Sequence, residues 1–136
     1  KLEKIAKSNI SFLGKKSDFE VVNYMSRCKA FVYAGLEDFG IAPVEAMAAG
    51  VPMITCKELL MGQYVEREEI GLTFEWGKWD RLKAVLMKLM FDETLKLEMG
   101  RRARRLAEKT HNWEYCEDRI ISLYQFIKKS KNPSAQ

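Results

Sequence analysis

The sequence predicts an α/β chain, a Rossmann-like parallel sheet flanked by helices, and three observations predict it. Short apolar runs without polar alternation stand at residues 10–13 (ISFL), 30–33 (AFVY), 51–56 (VPMITC) and 71–74 (GLTF). Such runs belong to parallel strands covered on both faces. Segments of helical period separate them, and Gly14, Gly35, Gly40 and Gly50 fall where one type gives way to the other. Strands alternating with helices produce a parallel sheet with right-handed crossovers.

In order along the chain, residues 2–8 read as the last turns of a helix. The run at 10–13 ends at Gly14 and predicts a strand. Ser17 with Glu20 three residues later forms a capping box. It opens a helix with Phe19, Val22, Met25 and Cys28 on one stripe. A second strand follows at 30–33, then a loop (GLEDFG). An Ala-rich helix at 41–49 has Pro43 in its first turn and Gly50 as its stop. The third strand is 51–56, a helix covers 59–66, and the fourth strand is 71–74. From residue 79 the text is helical. A helix at 79–91 carries Leu82, Val85, Leu86 and Leu89 on one stripe. Asp92 caps a second, to about 110, and Asn112 caps a third, from 113 to about 129. The last stripe is Tyr115, Cys116, Ile120, Leu123, Tyr124 and Ile127.

The chain has 136 residues and is 47% hydrophobic and 31% charged, which suits one folded domain and excludes a disordered or collagen-like chain. The expected domain is 1–128, with a polar tail at 129–136. No apolar run approaches the roughly 18–20 residues of a membrane span. The charged opening Lys1-Leu2-Glu3-Lys4 is not a secretory signal, and without a start methionine it reads as the interior of a longer polypeptide.

The net charge is +4, with 23 basic and 19 acidic side chains. That surplus is too small and dispersed for a nucleic-acid surface. Arg101, Arg102, Arg104 and Arg105 form a basic run spread over more than one helix face. It reads as a solvated surface, or as a contact with an anionic membrane or acidic partner. Cys28, Cys56 and Cys116 are an odd, widely spaced set beside a single histidine, His111. They predict ordinary packing in a reducing compartment rather than disulfides or zinc.

In open parallel sheets, ligands bind at the carboxyl ends of the strands. The most informative text follows the second strand, from Gly35 to Gly50. Gly40 stands where loop becomes helix, and Gly allows a ligand close to the backbone. The N–H groups near Phe39, Gly40, Ile41 and Ala42 lack intrahelical partners, and the helix dipole adds positive potential. That is a phosphate-type site. Glu37 and Glu45 flank it. A carboxylate repels phosphate but accepts two hydrogen bonds from paired hydroxyls. Glu45 is equally readable as a first-turn acid favoured by the dipole, and Glu37 as a solvated loop residue.

Glu37, seven intervening residues and Glu45 match the E-x7-E motif, and the text around them resembles retaining glycosyltransferases of the GT-B fold, especially glycosyltransferase family 4. The segments NISFLG (9–14), EDFGIAPVEAMAAGVPMIT (37–55), IGLTF (70–74) and NWEYCEDRIISLY (112–124) carry the resemblance. It covers roughly residues 5–128. It implies that Glu45 holds the ribose hydroxyls and that Glu37, the catalytic residue, contacts the transferred sugar. It places Asp38, Phe39, Gly40 and Ile41 against the diphosphate and sugar, and Gly14, Lys15 and Lys16 near the base.

The resemblance further implies a UDP- or GDP-hexose donor, a glycan or lipid-linked acceptor, retention of configuration, and neither metal nor other cofactor. It implies an N-terminal domain of the same polypeptide, a first strand and a basic pair before Lys1, and an inactive fragment in their absence. Where the family has Gly-Gly-x-x-Glu, this chain has Leu59-Leu60-Met61-Gly62-Gln63, so that contact is not carried over. Expected partners exclude nucleic acid and include a peripheral contact with the inner membrane face from the cytoplasm. The alternatives are a non-catalytic nucleotide-sugar, partner- or membrane-binding module of the same fold, or a GT-B epimerase or phosphorylase.

Overall fold

The computed structural model describes residues 2–35 and 40–131. A 3-10 turn at Leu2–Lys4 is followed by α1 (Asp18–Arg27), β1 (Phe31–Tyr33), α2 (Ile41–Ala48), β2 (Met53–Cys56) and α3 (Leu60–Arg67). Then come β3 (Gly71–Phe74), α4 (Trp79–Phe91), α5 (Glu93–Thr110) and α6 (Trp113–Lys131). The strands form one parallel sheet in the order β1-β2-β3. Phe31 pairs with Met53 and Tyr33 with Thr55, while Met53 pairs with Gly71 and Cys56 with Phe74.

All of β2 is buried, which accounts for its lack of polar alternation. On one face of the sheet Met47, Met53, Met61, Val65, Ile70, Ala103 and Ala107 pack together. On the other, Ile54, Cys56, Phe74, Leu89 and Met99 pack with Leu82, Val85 and Leu86 of α4. Helix α5 serves both cores, through Met99 on one side and Ala103 and Ala107 on the other. Small residues along α5 allow that close contact.

The helix ends follow their local chemistry. At α1 the Ser17 hydroxyl accepts from the Glu20 N–H, and the Glu20 carboxylate accepts from the Ser17 N–H at 3.0 Å. The Asp92 carboxylate accepts from the Leu95 N–H at 2.9 Å, and the Asn112 side chain from the Tyr115 N–H at 2.7 Å. Helix α2 stops at Gly50, whose φ of +73° lets its N–H reach the Met47 carbonyl and the Val51 N–H reach Ala46. Helix α3 ends in the same pattern, but Glu69 takes the left-handed position at φ +52°.

Several expectations do not hold. Residues 10–13 form no strand, and Ile10, Phe12 and Leu13 are exposed. A short apolar run becomes a strand only by pairing with a neighbour, and residues 10–13 pair with none of the described strands. The helix expected at 2–8 is only the turn at Leu2–Lys4. The stripe on α1 is largely uncovered: Phe19 is 81% exposed, and no α1 residue is fully buried. The stripe on α6 is likewise exposed, from Ile120 to Ile127. Periodicity defines a face but not what covers it. Cys28 and Cys116 are exposed, so packing describes Cys56 alone. Helix α6 continues to Lys131, past the expected start of the tail. No described helix is long and apolar enough to cross a membrane.

Candidate functional site

The carboxyl ends of β1 and β2 meet the starts of α2 and α3. Gly40 is the N-cap of α2, with extended backbone at φ −128° and ψ 153° and no side chain to cap the helix. Pro43 has no N–H, so the donors of this first turn are the backbone groups of Gly40, Ile41 and Ala42. Together with the dipole of the eight-residue helix they present positive potential. Packing fixes the turn: Pro43, Ala46 and Met47 of α2 are buried. The Tyr33 ring lies beneath it, stacked on Phe31 with centroids 6.4 Å apart. A Cβ added at Gly40 would stand 3.0 Å from the Tyr33 hydroxyl and 3.1 Å from Pro43 Cδ. Glycine is therefore the residue this crowded turn accepts most readily.

Glu45 is exposed on the second turn of α2, about 6 Å along the axis from Ile41 at 1.5 Å per residue. It borders a cavity of about 480 Å³ between α1 and α2, with Asp18, Val21, Val22, Met25 and Ser26 on one wall. Ala48 and Ala49 line the other wall, and Arg104 reaches in from α5. The Arg104 guanidinium donates to the Ala48 carbonyl at 3.3 Å and to Glu108 at 2.9 Å. It thus caps the carbonyl end of α2, where a cation is favoured. The cavity combines apolar walls with a carboxylate able to accept two hydrogen bonds from a vicinal diol.

Glu37, Asp38 and Phe39 lie outside the described residues. Gly14 turns the chain with φ +63°, and Lys15 is exposed. The Lys16 ammonium lies 3.2 Å from Glu20, one helical turn on. Asp18, two residues after Lys16, lines the same cavity as Glu45. The structure therefore brings the end of the 14–18 segment to Glu45, while turning Lys16 towards α1.

Sequence reading missed Asp18, Val21, Met25 and Arg104 as neighbours of Glu45. The capping box marked where α1 starts, but no local signal places Arg104 beside a helix 56 residues earlier in the chain. It also missed Thr55, whose hydroxyl is fully buried with no partner among the described residues. The text at 59–63 forms the first turn of α3, with Leu59 as an N-cap that has no side-chain bond. Gly62 is required there, because a Cβ would be driven into the Cys56 carbonyl.

A parallel sheet with helices between its strands, an uncapped helix start and an apolar cavity between α1 and α2 define a Rossmann-like α/β domain. Its sequence places it further: the chain belongs to the glycosyl transferases group 1 family, whose model matches residues 2–106. It is 30% identical over 119 residues to an uncharacterised glycosyltransferase of Methanocaldococcus jannaschii, covering 87% of this chain and 34% of that protein. It is 26% identical to the GDP-mannose-dependent monoacylated alpha-(1-6)-phosphatidylinositol monomannoside mannosyltransferase of Corynebacterium glutamicum, covering 86% of this chain and 32% of the other. It is 29% identical to the N-acetyl-alpha-D-glucosaminyl L-malate synthase of Bacillus anthracis, covering 87% and 30%. The chain thus spans about a third of the length of these relatives. No solved structure matches it significantly.

Proposed function

We propose that this chain is the nucleotide-sugar-binding domain of a retaining GT-B glycosyltransferase of family 4. The polypeptide carrying it transfers a hexose from a UDP- or GDP-linked donor to a glycan or lipid-linked acceptor. The observation that carries the reading is the uncapped start of α2 at Gly40, with Glu45 on the cavity one turn further on. The relatives' names support sugar transfer, and one of them specifies GDP-mannose and a phosphatidylinositol mannoside.

In this reading the N–H groups of Gly40, Ile41 and Ala42 face the diphosphate. As the sugar leaves, negative charge grows on that diphosphate, and fixed dipoles stabilise it without reorganising. Glu45 accepts the ribose hydroxyls. Glu37 orients the hexose, with Asp38, Phe39 and Ile41 beside it, and Gly14, Lys15 and Lys16 border the base. No step assigned to these residues requires a metal. Catalysis takes place in the cytoplasm, where the acceptor side meets a second domain of the same polypeptide.

The test is turnover in a polypeptide carrying this domain, with the anomeric configuration of the product read by NMR. Glu37→Ala and Glu45→Ala are each expected to lower kcat/KM by at least about tenfold, the loss of one charged hydrogen bond. Retention is the expected stereochemistry. Wild-type rates in both variants, or an inverted product, would overturn the assignment.

A further inference from the structure

At the amino edge of the sheet, opposite the carboxyl edge that carries Gly40, lies a second cleft of about 410 Å³. The end of α1, the approach to β2 through Gly50 and Pro52, and the first two thirds of α5 form it. Arg27, Lys29, Lys96, Arg101 and Arg104 line it with a single acid, Glu93. Its surplus of four positive charges equals the net charge of the entire chain.

Part of that charge already has a structural partner. Lys96 pairs with Glu93 at 2.6 Å, and Arg104 is bound to Glu108 and to the Ala48 carbonyl. Each helix C-terminus facing the cleft, that of α1 and that of α2, offers only about half a negative charge. Arg27, Lys29 and Arg101 have no ion-pair partner among the described residues and lie on one concave surface. Three like charges on one concave surface give it a positive potential that favours an anion.

We propose that this cleft, which shares Ser26 and Arg104 with the cavity beside Glu45, is a binding site for a multiply charged phosphate-bearing anion, distinct from the start of α2. Lys29 and Arg101 are its principal contacts, with Arg27 beside them. Phosphate is the chemistry that satisfies several cationic donors at once, Arg by a fork and Lys as a point charge. The phosphate group belongs either to a soluble compound or to an acidic lipid headgroup.

Two titrations of the full chain test the proposal and separate these sources. Inorganic pyrophosphate is added while the backbone amides are followed by NMR. In parallel, the chain is sedimented with phosphatidylcholine vesicles containing or lacking phosphatidylglycerol. The expected result is movement of the Lys29, Gly50, Gly100 and Arg101 amides, or binding only to the acidic vesicles. The first result assigns a soluble phosphate and the second a headgroup. In both, Lys29→Glu with Arg101→Glu weakens binding by at least about tenfold, while Lys109→Glu, elsewhere on α5, changes it less than about twofold. Both mutated positions are exposed, so the fold is retained, and circular dichroism checks this. The proposal is overturned by absence of binding to either probe, by equal loss in Lys109→Glu, or by pyrophosphate shifts confined to residues 40–45.

Discussion

The carbonyl of Gly50 lies against Gly100, where the end of α2 crosses α5, and a Cβ at Gly100 would be driven into that oxygen. The contact ties the element bearing the donor-site turn to the helix shared by both cores. Gly100→Ala is predicted to cost about 1–3 kcal/mol by overpacking. Gly50→Ala is predicted to cost about 1–2 kcal/mol by forcing a side chain into left-handed backbone. Urea unfolding midpoints measure both, and unchanged midpoints would refute the close approach.

Glu69 ends α3 in the conformation that glycine gives α2. Its carboxylate pairs with Arg102, which also bonds Glu98 at 3.3 Å. The pair is exposed and is worth about 0–1 kcal/mol, while the backbone position costs about 1–2 kcal/mol. Glu69→Gly is therefore predicted to raise stability by about 0.5 kcal/mol, after the greater freedom of glycine in the unfolded chain. A lowered melting temperature would contradict the balance.

The capping box of α1 makes a pH-dependent prediction. Hydrogen bonds from the Ser17 backbone and side chain, with Lys16 alongside, hold the Glu20 carboxyl below its ordinary value. A depressed carboxyl contributes stability above its unfolded pKa and loses it as pH falls through the folded one. Because α1 has no fully buried residue, the loss is local. Protection factors over 18–27, taken against the intrinsic exchange rate at each pH, should fall as pH drops below the usual glutamate range, while those of β2 hold. Ser17→Ala should open α1 at neutral pH by about 1 kcal/mol. Uniform exchange across α1 and β2 would argue against an independently opening helix.

How much the sequence reveals varies with the distance over which a feature is decided. Ser17, Asp92 and Asn112 act on amides three residues ahead, and each caps the helix it announces. The boundaries of β3 and α4 are readable because glycine, aromatic and apolar residues mark them locally. The run at 10–13 failed because strand pairing depends on a distant partner. The stripes on α1 and α6 failed for the same reason, since a 3.6-residue period does not name its covering surface. At the candidate site, Gly40 and Glu45 are legible from local turn and helix chemistry. Arg104 and the Tyr33 ring arrive by tertiary packing and are not.

Thr55 offers a probe of the site's floor. Its buried hydroxyl has no described partner, and it pairs in register with Tyr33. Thr55→Val keeps the shape and removes the unsatisfied group. It is predicted to stabilise the fold by about 1 kcal/mol. A destabilised variant would mean that the hydroxyl is hydrogen-bonded in solution.

The central claim is that a nucleotide diphosphate binds at the start of α2, with Glu45 on its ribose. Calorimetric titration of UDP and GDP into the chain and into Glu45→Ala tests it most directly. Glu45 is exposed and makes no described hydrogen bond through its side chain, so the variant should keep its melting temperature. One of the two nucleotides should bind to the wild type and bind at least about tenfold more weakly to Glu45→Ala. Equal affinity for the variant, or no binding of either nucleotide to the wild type, would contradict the account.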